Sequence, residues 1–231
     1  KYPIKSIFCE KPLSTNSETS NKIIELCDKK GIKLAVNYMR RWDDLYINCK
    51  ELLYSGELGK LNSIVAYVDT ALYMNSIHMI DLIDFFAGDV ETVVGRIDEE
   101  NEVRIVNDIP DPGAYIVIFH KNKVVSFVKA TGESKKNHYF ELDFQCTNGR
   151  LRILDDGMRY EIYKFVPCIE KNWLSRLQLE KSVTNSFNYE RLENAYRDII
   201  YSIKNNKSPV SDGISSQKSM GIIELVYQNK V

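Results

Sequence analysis

Two short apolar runs, Ile4 to Cys9 and Ile32 to Asn37, flank a single helical pattern, and that spacing constrains the fold more than any other feature of the chain. Ile23, Ile24 and Cys27 fall at helical intervals, Thr15 with Glu18 offers a capping box, and Gly31 supplies a stop. A strand, a helix and a strand with short joints form a crossover unit, which pairs its strands in parallel with a right-handed connection. In open sheets of this kind ligands sit beyond the carboxyl ends of the strands. Glu10, Lys11 and Pro12 stand there after the first run, and Asn37 after the second. A carboxylate, an ammonium and a proline do not continue a strand, so the strand stops at them. An X-Pro bond reaches the cis form far more easily than other peptides, so Lys11-Pro12 can set where the Lys11 side chain points. A solvated strand end with a turn proline is the plainer reading of the same residues.

Beyond this unit the pattern changes. Asp43 or Asp44 caps a helix through Leu45, Ile47, Leu52 and Leu53 that ends near Ser55-Gly56. Leu61 to Val68 is a strand, and a helix from about His78 to Ala87 follows it. Val90 to Ile97, Gly113 to Phe119, Lys123 to Ala130, His138 to Cys146, Leu151 to Leu154 and Arg159 to Phe165 then read as strands. Turn signals separate them at Pro110-Asp111-Pro112-Gly113, Lys121-Asn122, Gly132, Asn148-Gly149 and Asp155-Asp156-Gly157. Alternation is cleanest where Phe140, Leu142, Phe144 and Cys146 face one way and Glu141, Asp143 and Gln145 the other. Consecutive hairpins imply a mostly antiparallel sheet with helices on its apolar face. Trp173 to Thr184 reads as a loop or short helix. Two helices close the chain, one with a stripe from Leu192 to Ile203, one capped by Ser211-Asp212 and running through Ile222, Ile223, Leu225 and Val226.

The expected fold is therefore an α/β unit over residues 1–40, followed by an α+β domain over 41–231 with an open, mostly antiparallel sheet and helices on one face. At 231 residues the chain can bury a sizeable core, and a net charge of -1 gives no reason to expect nucleic acid or an anionic membrane as partner. No run approaches the roughly 20 apolar residues of a membrane span, and no signal peptide is visible at the first residue, so a cytoplasmic protein is the expectation. Five cysteines at irregular spacings, with no Cys-x-x-Cys, suggest neither a disulfide framework nor a zinc knuckle. His78, His120 and His138 are too scattered for a metal site.

His78 stands near the start of a helix that is apolar nearly all round, with Asn75 or Ser76 as its cap. His78, Asp81 and Asp84 repeat at intervals of three and share one stripe, which needs partners or a wet cleft. A core histidine satisfied by its carboxylate neighbours is the bland reading. A histidine at a helix N-terminus is held neutral by the dipole, and a neutral imidazole near pH 7 can accept a proton. Arg40 and Arg41 follow the second strand, either as an ion-paired couple or as substrate contacts. Tyr67, Asp69 and Tyr73 precede His78.

Glu10-Lys11-Pro12, Leu34 to Trp42, Gly56-Glu57-Leu58-Gly59-Lys60 and His78-Met79-Ile80-Asp81, in that order and at that spacing, resemble the Gfo/Idh/MocA oxidoreductases along the whole chain. The resemblance implies an NAD or NADP dependent enzyme acting on a sugar, inositol or sugar derivative. In it the histidine at position 78 takes the substrate hydroxyl proton while Lys11 hydrogen-bonds the substrate oxygen. Glu10, Lys11 and Pro12 would meet the cofactor, and Asn37, Arg40, Tyr73, Asn75 and Asp81 the substrate. It also implies an open sheet whose free face makes a homodimer or homotetramer. Many members carry an aspartate four residues before the histidine; here Met74 occupies that position, which points to altered substrate choice, slow chemistry or none. Members of the family open with a dinucleotide-binding half carrying a Gly-rich turn, and this sequence starts just before Glu-Lys-Pro without an initiator Met. We therefore expect residues 1–40 to be the C-terminal remnant of a Rossmann-type dinucleotide-binding domain in a truncated form, inactive alone and without tight dinucleotide binding. A carbohydrate-binding or dimerisation module without turnover is the alternative, and a relative using the nicotinamide transiently for elimination or glycoside cleavage is a third reading.

Overall fold

The computed structural model describes residues 3–98, 104–106, 109–130, 138–171, 173–184 and 190–229. Strand β1 (Ser6–Cys9), helix α1 (Ser17–Lys29) and strand β2 (Lys33–Val36) form the crossover unit, with β1 and β2 parallel from Ser6↔Lys33 to Cys9↔Val36. The cap of α1 is Asn16 rather than Thr15: its carboxamide oxygen accepts from the Thr19 backbone N–H at 2.8 Å, the third helical donor, which this short side chain reaches from the extended backbone before the helix. The Lys11-Pro12 bond is cis, and Gly31 turns the chain at φ 65°.

After a 3₁₀ turn (Met39–Trp42) come helix α2 (Asp44–Tyr54), strand β3 (Leu61–Val68), a π-helical turn (Leu72–Ser76) and helix α3 (Ile77–Ala87). Strands β4 (Val90–Ile97), β5 (Arg104–Val106), β6 (Ile109–Asp111), β7 (Ala114–His120), β8 (Val125–Ala130), β9 (Phe140–Cys146), β10 (Gly149–Leu154), β11 (Arg159–Pro167) and β12 (Ser175–Thr184) follow, then helices α4 (Arg191–Asn205) and α5 (Gly213–Gln228). Among the described residues eight strands form one open sheet in the order β12-β11-β10-β9-β3-β8-β7-β4. Only β3 and β8 in it run parallel; the other neighbours are antiparallel, four pairs of them joined as consecutive strands and two, β3 with β9 and β4 with β7, brought together from further apart in the chain. The fold class is the one the hairpins and the crossover imply.

Two segments differ from the sequence reading. Residues 175–184 are a strand, paired with β11 from Pro167↔Ser175 to Arg159↔Thr184. Exposed on both faces, β12 has no reason to alternate apolar and polar residues, and so gives no period to read. Pro110 and Asp111 belong to a small hairpin, β5 with β6, instead of a simple turn. The Gly132 turn signal lies outside the described residues.

One face of the sheet is core. Ile64, Ala66, Phe140, Leu142, Phe144, Ile116, Ile118 and Val93 point into it and are essentially sealed from solvent. Helix α3 packs on β3 and on α5, and every residue of α3 except Phe85 is buried. Phe86 of α3 meets Phe144 edge-on at 4.7 Å. At Gly95 of β4 an added Cβ would stand 2.8 Å from Val226 of α5, so this glycine sets how closely α5 approaches the sheet. The other face is open, and Tyr67, Tyr115, Phe119 and Phe127 are exposed on it.

The crossover unit is tied to the rest of the chain at its carboxyl edge. The Val36 N–H donates to the Ser211 carbonyl at 3.0 Å, and the Ser211 hydroxyl donates to the Val36 carbonyl at 2.7 Å. Asp212 caps α5 by accepting from the Ser215 N–H at 2.9 Å. Glu224 of α5 accepts from both the backbone N–H and the hydroxyl of Ser17, the first residue of α1. These contacts tie β2 to the segment that leads into α5, and α1 to α5 itself.

Candidate active site

Lys11 lies where β1 ends, partly buried, and its ammonium donates to the backbone carbonyl of Met74. Met74 is in the π-helical turn that runs into α3, four residues before His78. Lys11, 67 positions before His78 in sequence (78 − 11), thus reaches the turn that leads into the helix carrying His78. Single π turns inside a helix recur at functional sites because they displace backbone carbonyls from the regular ladder. Here such a turn holds the lysine that faces it.

The helical run begins earlier than the sequence suggests. Ala71 is the extended residue before it, and Ser76 already has helical φ and ψ and makes no side-chain cap. His78 is therefore in the second turn of a continuous helical segment, and the helix dipole is not what sets its charge. Burial lowers its pKa well below the ordinary imidazole range, and the positive charges of Arg40, Lys11 and Arg191 lower it further. The imidazole is only 6% exposed, stands edge-on to Tyr38 at 5.5 Å, and its Nδ1 is a buried atom with no hydrogen-bond partner among the described residues. A neutral ring with an unused nitrogen is equipped to take a proton from something that enters.

Lys11 itself is shifted down, first by burial and then by Arg40, while Glu10 and Asp111 oppose the shift. Glu10 and Asn37 occupy the adjacent strand ends and hold each other, Asn37 Nδ2 donating to Glu10 Oε1 at 2.8 Å. Pro12 follows directly. Asn75 is partly buried in the π turn, its backbone N–H donating to Thr70 Oγ1 at 3.2 Å.

Three residues expected among the substrate contacts are placed differently. Arg40 is buried and forks onto Asp156, with Nε at 2.6 Å and Nη2 at 2.8 Å, while its plane lies 3.8 Å from the Phe140 ring centre. Its donors are directed at a protein carboxylate, and its effect on the site is that of a fixed positive wall. Asp81 is 1% exposed and accepts from Arg41 Nε with both oxygens, at 3.0 and 2.8 Å. It faces into the protein because a helical step of three leaves it about 60° from His78, on the side where Arg41 bridges Asp81 and Asp84. The Tyr73 ring lies near Asp111, Glu224 and Tyr227, on the α5 side of the turn.

Several residues at the site gave no signal in the sequence. Tyr38, next to Asn37, packs on His78 and is 1% exposed. Asp156 sits in a turn where Asp155, Asp156 and Gly157 all have positive φ, and a turn is all that the triplet announced. Arg191 joins the same cluster, donating to Asp43 Oδ2 at 2.5 Å and to the Asp156 carbonyl at 3.3 Å. Asp111, between two prolines, read only as a loop.

Comparison with known proteins gives the family and the fold. The C-terminal alpha/beta domain of the oxidoreductase family matches residues 68–230, more than half of the chain. Inositol 2-dehydrogenase of Mycolicibacterium gilvum is 32% identical over 122 residues, 48% of this chain and 32% of the enzyme. The same enzyme of Salmonella typhimurium is 28% identical over 155 residues, 62% of this chain and 44% of the enzyme. The matched stretches thus span less than half the length of these relatives. A levoglucosan dehydrogenase solved with NADH and levoglucosan superposes with a TM-score of 0.82 over 97% of this chain and 71% of that one, at 16% identity, a likeness of fold. With more than half of its residues matched by that domain, the chain belongs to the Gfo/Idh/MocA family of oxidoreductases.

Proposed function

We propose that the whole protein is a cytoplasmic NAD(P)-dependent dehydrogenase acting on a hydroxyl of a sugar, inositol or sugar derivative. Residues 1–40 would complete a dinucleotide-binding domain and residues 41–231 form the substrate and assembly domain. The observation that carries this reading is the contact of the Lys11 ammonium with the Met74 carbonyl, one helical turn before a buried, neutral His78 with a free Nδ1.

The residues present fit one end of a nicotinamide dinucleotide. The joint from Glu10 to Asn16 contains no glycine and so no phosphate cradle, but the Glu10–Asn37 pair and Lys11 present a carboxylate, an amide and an ammonium at the strand ends. These groups would hold the nicotinamide end, and NAD(P), when bound, supplies the hydride acceptor. Lys11 turns from the Met74 carbonyl to the substrate oxygen and favours the alkoxide that forms there. His78 accepts the hydroxyl proton at Nδ1. General-base help of this type is worth about 10² to 10⁴-fold. Asn75 is the polar side chain of the turn available for a second substrate hydroxyl.

Inositol 2-dehydrogenase relatives and a sugar-bound structural neighbour support the polyol or sugar class. The exposed aromatic residues of the open sheet face support a homodimer or homotetramer formed through it. The test is a panel of polyols and sugars with NAD and with NADP, using the full-length protein. Steady accumulation of reduced cofactor is expected with at least one of them. Cleavage of a glycoside without net cofactor change, or saturable binding with neither product, would replace the dehydrogenase with one of the other two readings.

A further inference from the structure

The turn that faces Lys11 is held from outside by one short segment. The first N–H of the helical run, Leu72, donates to the Pro112 carbonyl at 3.0 Å, and the second, Tyr73, donates to Asp111 Oδ1 at 2.8 Å. Ala71, the residue in cap position, makes no side-chain bond, so the carboxylate that satisfies this helix start comes from β6, 38 residues further on. Asp111 is 2% exposed. A carboxylate that deep needs compensation, and Lys11, bound to the carbonyl of the next residue, Met74, interacts with it electrostatically.

We infer that Asp111 is a positioning residue of the site: it fixes the π turn that presents the Met74 carbonyl and His78, and it gives Lys11 a buried countercharge. The inference rests on the reading of Lys11 as the group that meets the substrate oxygen. Among the described residues, four charged or titratable groups bear on Lys11: Arg40 after β2, Glu10 at the end of β1, Asp111 on β6 and His78 on α3. Glu10 is exposed and is screened by salt, whereas Asp111 is not. The buried carboxylate is therefore the partner that persists at high ionic strength.

Asp111→Asn separates the two roles, because the amide oxygen can still accept from Tyr73 while the charge is gone. With lysines of the 231-residue chain carrying ¹³C-dimethyl labels, and the Lys11 signal assigned by Lys11→Met, the Lys11 titration is followed by NMR in 0.5 M salt. The expected result is a midpoint about half a pH unit or more lower in Asp111→Asn, with Asp89→Asn as an unshifted control. An unmoved midpoint overturns the countercharge. Exchange of the Tyr73 amide in the unsubstituted chain tests the cap without any variant. It should be slowed at least tenfold relative to a free peptide, and exchange at the free-peptide rate overturns the contact. Should Lys11→Met leave turnover of the full-length protein intact, the catalytic reading of Lys11 fails while these two results still decide the place of Asp111.

Discussion

Replacing Arg41 by Met should unfold the site's supporting helix more readily than any substitution at its surface. Arg41 Nε meets both Asp81 oxygens at 3.0 and 2.8 Å, and Nη2 reaches the Asp81 carbonyl and Asp84 Oδ2, each at 3.2 Å. The three side chains are 7%, 1% and 8% exposed, so water cannot take over when the guanidinium is gone. Lys218 lies 3.9 Å from Asp84, and Lys50 also acts on that carboxylate electrostatically. Removing one partner of a buried pair costs about 3 to 5 kcal/mol, against total stabilities of about 5 to 15. The loss also carries a pH signature. Burial pushes Asp81 up to about 6 even with Arg41 present, and without Arg41 it must rise further. The folded variant then holds a proton that the unfolded chain, with an ordinary carboxylate, has released. Stability of the variant therefore keeps falling as pH rises beyond 6, where that of the parent chain no longer responds to this group. Urea unfolding followed by circular dichroism at pH 5.5 and pH 8 should show a deficit of about 3 kcal/mol or more at pH 8 and a smaller one at pH 5.5. A deficit below about 1 kcal/mol, or one equal at both pH values, would refute the argument.

Three further outcomes are expected. Burial depresses the pKa of both His78 and His120, so as pH falls below about 6.5 the unfolded chain gains protons that the folded one refuses, and stability drops by up to ~1.4 kcal/mol per pH unit for each. His120→Gln should flatten the slope below pH 6.5, and an unchanged slope there in urea titrations contradicts this. The 231-residue chain should show no micromolar heat of binding for NAD, since its Glu10 to Asn16 joint lacks glycine; such a heat in calorimetry would be the contrary result. Phe127→Lys puts a charge on the open sheet face, 45% exposed in this chain, and should shift sedimentation of the full-length protein to the monomer; an unshifted oligomer would remove that face from the assembly.

What the sequence conveyed depended on how each element earns its place. The crossover unit and the strands from β7 to β11 were legible because their apolar period is imposed by burial on one or both faces. Strand β12 was not, since an exposed edge strand is held by backbone pairing that any residue can make. Lys11 and His78 could be named together only through the family's order of motifs; spacing alone says nothing of a strand end reaching the turn before a helix 67 residues away (78 − 11). The fates of Arg40 and Asp81 were hidden for a related reason. Both carry charges that a cleft could use, and the choice between a cleft and a buried partner is made by Asp156 and Arg41, which tertiary packing delivers. Asp111 shows the limit most plainly: a carboxylate between two prolines announces a turn, and its bond to the Tyr73 N–H exists only once β6 lies beside the π turn.

The convergence of Lys11 and His78 is tested most directly by the pH dependence of kcat/KM for the full-length protein and its Lys11→Met and His78→Gln variants, with the polyol that gives the highest rate. Each variant should lose at least tenfold in kcat/KM while keeping its melting temperature within a few degrees, and the His78 variant should lose the acid limb of the profile. Two variants with parental kcat/KM and an unaltered profile would contradict the account.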